Sequence, residues 1–200
     1  MNVARDVVVI CLLLALTSVA GCGEAEVRAT EKSGVGQVVD SAIPIAEALR
    51  RFHQDLPEPS ELVGGHPSRE ALVRAFVRAV EKSDTAALRQ MVLRRDEFAW
   101  IYYPASHLSR PPYELPPDLL WFQMQGQSEK GARLLLAERS GQSLGYLDHR
   151  CTPRQEGDHR VHGYCELRRV VAGDTLRERL FGLIIEREGQ YKFVSYANKL

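Results

Sequence analysis

The side chains able to do chemistry fall into three groups. Asp148 and Glu166 are carboxylates in the last third of the chain, and Tyr102 and Tyr103 are adjacent phenols upstream. A carboxylate with a raised pKa beside a tyrosine donor is the minimum for acid–base chemistry without a cofactor. The opposite-charge neighbours expected for both carboxylates favour a structural role instead, since a paired carboxylate is held ionised. Trp100 and Trp121 complete an aromatic set that either lines a pocket or fills a core. The third group is Cys151, His159, His162 and Cys165. Its histidines lie between its cysteines, unlike a zinc finger, and on a strand His162 and Cys165 would face opposite ways. His149 is expected opposite Leu167 as a half-buried structural histidine, whereas His53, His66 and His107 show no ligand spacing. No G-x-S-x-G, H-E-x-x-H or phosphate-binding glycine loop is present, so neither a catalytic set, a metal site nor a cofactor is assigned.

The cysteines also speak to location. Arg5, an uninterrupted apolar run over 7–16 and the small residues after it have the layout of an export signal, too short to span a bilayer comfortably. Val19-Ala20-Gly21-Cys22 resembles the lipobox of bacterial lipoproteins. That resemblance implies cleavage before Cys22, a diacylglyceryl group on its thiol and an acylated amino group. Two or three chains anchor stably, at about 0.8 kcal/mol per buried methylene. The resemblance thus implies a membrane partner, with the protein held in the bacterial cell envelope and facing the periplasm. Gly23 in place of an aspartate favours the outer membrane. Residues 1–21 are then the signal, 22–40 the lipidated cysteine and its tether, and 41–200 one domain with its core over about 68–200.

An exported chain meets an oxidising compartment, which predicts a Cys151–Cys165 disulfide worth about 3 kcal/mol for a loop of roughly 15 residues. If those cysteines face each other, Asp148 opposes Arg168 and Arg150 opposes Glu166, two opposite-charge cross-strand pairs. The formal net charge is +0 with acids and bases interspersed, and no basic stripe marks a nucleic-acid partner.

The elements that must position these groups divide at about residue 143. Before it, the spacing predicts a helix over 41–55, a helix capped by Ser68, and a shorter one capped by Asp84 or Thr85. The aromatic and β-branched run 97–103 reads as a strand or buried extended segment. Residues 104–117 read as a proline-rich loop, and two further helices are expected, one after Asp118 and one from Ser128 to a stop at Gly141. After residue 143, four strands are expected over 143–152, 160–171, 175–188 and 190–198, joined by hairpin turns.

Helices first and antiparallel strands last make an α+β domain. The pattern Phe76, Ala79, Asp84, Leu88 in a helical hairpin looks like the opening of the nuclear transport factor two-like, or SnoaL-like, fold. That resemblance, covering about 68–200, implies N-terminal helices packed on a curved C-terminal antiparallel sheet that closes into a cone. It places Trp100, Tyr102, Tyr103, Trp121, Asp148 and Glu166 as candidate pocket residues. The expected function is a membrane-anchored binding or interaction module for a small apolar ligand or an envelope protein. The alternative is a cofactor-independent isomerase, dehydratase or hydrolase. A structural lipoprotein whose cone is filled by its own side chains is a third reading.

Overall fold

Ser68 starts the first long helix by accepting a hydrogen bond from the Ala71 N–H at 3.0 Å. The computed structural model describes residues 43–197, so the expectations for the signal, Cys22 and the tether over 22–40 lie outside the described residues. Five α-helical segments come first: α1 (Ile45–Phe52), α2 (Arg69–Glu81), α3 (Thr85–Gln90), α4 (Arg95–Glu97) and α5 (Pro117–Arg139). Five strands follow: β1 (Tyr146–Glu156), β2 (His159–Val171), β3 (Asp174–Glu178), β4 (Ile184–Arg187) and β5 (Gln190–Phe193). They form one antiparallel sheet in the order β1-β2-β4-β5, with β3 also paired to β2. The chain is therefore α+β. Among the described residues no helix is long and apolar enough to cross a membrane.

Asp84 caps α3 through the Ala87 N–H at 2.9 Å. Leu72, Phe76 and Val80 of α2 are fully buried and meet Leu167, Ile184 and Phe193 of the sheet. A second cluster joins Phe52, Phe98, Tyr103, Val161, Ile185 and Val194. Ile184 and Ile185 are neighbours on one strand, so the two clusters occupy opposite faces of the sheet. Helix α5 serves both, placing Leu120 and Met124 in one and Leu135 in the other.

Three expectations are corrected. Residues 97–103 form no strand. They continue α4 as a wide π-turn (Phe98–Tyr102) and a tight 3-10 turn (Tyr103–Ala105). The run is buried on most sides, and a buried helix and a buried strand share the same composition. Glu97 selects the helix by accepting from the Arg94 N–H at 2.7 Å, half of a capping box. Residues 117–139 are one helix rather than two. Its polar, glycine-bearing middle is tolerated because Ser128 is buried, accepting from the Tyr196 N–H at 3.0 Å. At Gly131 a Cβ would lie 2.4 Å from the Tyr196 carbonyl oxygen, so only glycine lets the chain end approach. The third expected strand, 175–188, is broken into β3 and β4. Both pair with the same edge of β2, one residue out of step, and the interval carries Leu180 and Phe181 into the core.

The β1–β2 hairpin carries the disulfide. Cys151 and Cys165 are bonded, flanked by the pairs Asp148 with Arg168, His149 with Leu167 and Arg150 with Glu166. Beyond the cysteines the register shifts by one, because Tyr164 at φ +50° is an extra residue on β2. β1 runs through Pro153 to Glu156, further than expected. It is an edge strand, where the missing proline N–H breaks no ladder on its open side.

Candidate functional site

Among the described residues, a groove of about 660 Å³ lies between α3–α4 on one side and α5 on the other. That volume is in the range of small-molecule sites, about 300–1,000 Å³. Groove-facing residues recur along α5 every three or four positions, at Trp121, Gln125, Ser128, Ala132 and Leu136. Leu88, Leu93, Met124 and Val194 supply an apolar floor from both core clusters, so the groove runs along the seam between them. The polar atoms of the floor are already engaged. Tyr196 donates its hydroxyl to the Leu88 carbonyl at 2.8 Å, and burial pushes its phenol upward. Ser128 holds the Tyr196 N–H. An occupant therefore meets carbon below and charge only at the rim.

The rim carries Arg89, Arg94, Arg95 and Arg133 against Glu129. Arg94 is bound to Asp96, whose carboxyl burial would raise but whose bond to Arg94 holds it below its ordinary range. The Arg95 guanidinium lies 4.7 Å from the centre of the Phe52 ring. Glu129 accepts from Gln125 at 3.3 Å.

A second polar constellation lies where the start of α2 meets the sheet. Arg69 donates through Nε to His149 Nε2 and through Nη1 to His162 Nδ1, both at 3.0 Å. A guanidinium only donates, so each of those ring nitrogens is unprotonated and both histidines are neutral. The remaining protons then have assigned acceptors. His149 Nδ1–H points to the Tyr146 oxygen at 2.8 Å, and Tyr146 donates to Glu70 at 3.0 Å. His162 Nε2–H donates to Glu186 at 2.7 Å. Burial, reinforced by Arg69, lowers the pKa of both histidines, with their carboxylate neighbours acting in the opposite direction. Burial and the Glu70 bond push the Tyr146 phenol up. Every ring nitrogen has a partner, so the set ties α2 to β1, β2 and β4.

Comparison with known proteins finds no matching family model, curated protein or solved structure.

Of the pocket residues expected from sequence, only Trp121 lines the groove. Trp100 stacks on His53 with ring centres 3.6 Å apart. Tyr102 is buried with its phenol pushed up to about 12, first by burial and then by Glu156. Tyr103 is buried and donates to the Leu115 carbonyl at 2.7 Å. Asp148 binds Arg168 on the surface of the sheet. Glu166 pairs with Arg179 at 3.8 Å, although Arg150 is opposite it in register. These residues form no single site. His159 and His162 lie near the cysteines in sequence, but the disulfide engages both thiols and Arg69 and Glu186 engage His162.

Sequence reasoning missed Arg69, Glu70, Tyr146 and Glu186, and the arginines of the groove. One signal was available: taken as a single helix, 117–139 shows the stripe from Trp121 to Leu136 at helical spacing.

Proposed function

We propose that the protein is a lipid-anchored envelope lipoprotein whose folded domain is a non-catalytic binding module for an apolar ligand. One observation carries this reading: a groove of about 660 Å³ with an apolar floor whose own polar atoms are internally satisfied. Burying an unbranched chain there would contribute about 0.8 kcal/mol per methylene. The α2–α3 hairpin packed on an antiparallel sheet supports a nuclear transport factor two-like arrangement with the sheet curving about the helices. The lipobox at Val19–Cys22 supports the anchor and, with Gly23, outer-membrane retention.

A second reading, a cofactor-independent isomerase, dehydratase or hydrolase, draws support from the Glu70–Tyr146–His149 relay, where a half-exposed carboxylate meets a tyrosine. The saturation of both His149 nitrogens favours the structural role.

Native and denaturing mass spectra of the exported protein test both parts of the binding proposal. The expected result is a polypeptide beginning at acylated Cys22, with a further mass that denaturation releases. An unacylated chain would overturn the anchor. A bare mass after incubation with cell-envelope lipid extract would overturn the binding module.

A further inference from the structure

The groove's rim says which chemistry its occupant carries at one end. Resting on the reading of the groove as a ligand site, we infer that the ligand is a single-chain amphiphile with a carboxylate head, a fatty acid. Its tail would lie along the seam between the cores and its head between Arg89 and Arg133. Four arginines against one glutamate is a local excess in a chain whose formal net charge is +0. Of the four, Arg94 is ion-paired with Asp96, and Arg95 lies over the Phe52 ring. Arg89 on α3 and Arg133 on α5 make no ion pair among the described residues, and both are exposed. They stand on opposite walls of the groove. An anion set in the groove would meet one guanidinium from each wall. A planar guanidinium is the side chain that binds a carboxylate through two parallel hydrogen bonds. The floor below offers carbon from Leu88, Leu93, Met124, Leu136 and Val194, which suits an unbranched tail. Charge at the rim and carbon beneath match a fatty acid better than a neutral sterol-like or alcohol ligand.

The test is calorimetric titration of the full chain carrying Cys22→Ser, with dodecanoate and dodecan-1-ol as probes below their aggregation limits. The expected result is dodecanoate binding at least tenfold tighter than the alcohol, with the preference weakening as salt is added. In the Arg89→Gln/Arg133→Gln variant the preference should fall below about twofold. Both side chains are exposed, so the melting temperature should be unchanged, and a melt of the variant verifies this. Equal affinities in the parent chain, or a preference that survives in the variant, would overturn the carboxylate assignment while leaving the groove a ligand site. Failure of both probes to bind would overturn the assignment and the binding reading beneath it.

Discussion

Arg69 holds two buried histidines through nitrogens that must stay unprotonated, and this makes the fold sensitive to pH. His66, His149, His159 and His162 all have pKa values lowered from 6.5, burial being the first cause in each. The unfolded chain therefore binds more protons over the interval below 6.5. Their contribution to stability is fully present above that value and is lost as pH falls through it toward the folded-state pKa values. The urea midpoint should drop between about pH 7.5 and about pH 5.5; a flat or rising midpoint would contradict this. Arg69→Met should destabilise by about 1–3 kcal/mol at neutral pH, because it strips two buried acceptors of their donor. At this scale the sequence was legible where chemistry is local. Ser68 and Asp84 announce themselves as caps, and Asp148–Arg168 follows from the cysteine register. The Arg69 relay was not, because its members come from four elements and no spacing links them.

At the scale of elements, α5 and its two interior glycines give a paired prediction. Gly126 is exposed with nothing within 4 Å of an added Cβ, whereas Gly131 faces the Tyr196 carbonyl at 2.4 Å. Gly126→Ala should stabilise by about 0.5–1 kcal/mol through helix propensity alone. Gly131→Ala should destabilise despite the same intrinsic gain, because backbone must move. Thermal melts of the two variants shifting in the same direction would contradict the packing of α5 on the chain end. Replacing both hairpin cysteines with serine should cost about 3 kcal/mol, read from urea unfolding under non-reducing conditions. The same contrast explains what was legible among elements. Hairpin turns such as Glu188–Gly189, both at positive φ, are written in adjacent residues and were found. Helix 117–139 was divided because Ser128 reads as a helix start, whereas its hydroxyl serves the Tyr196 N–H, far along the chain. Residues 97–103 were misassigned because aromatic, β-branched composition reports burial as much as strand geometry.

At the scale of the whole molecule, the described residues hold two hydrophobic clusters on opposite faces of one sheet, and α5 bridges them, leaving a groove at the seam. The division of the chain into helices and then strands was legible from the change of hydrophobic period. The groove was not, since its walls come from α3, α4, α5 and the residues after β5, and only folding brings them together. With the anchor proposed above, such a groove would hold apolar molecules at a membrane surface. Trp121 lines the groove, and the other of the two tryptophans, Trp100, stacks on His53 outside its lining. In a Trp100→Phe chain, Trp121 becomes a single reporter of occupancy. Titrating that variant with dodecanoate while following tryptophan emission reads occupancy of the groove itself. A saturable change in Trp121 emission, lost when Ala132→Phe fills the groove, is the predicted result. Emission that does not change, or that saturates equally with Ala132→Phe in place, would contradict the groove as the binding site.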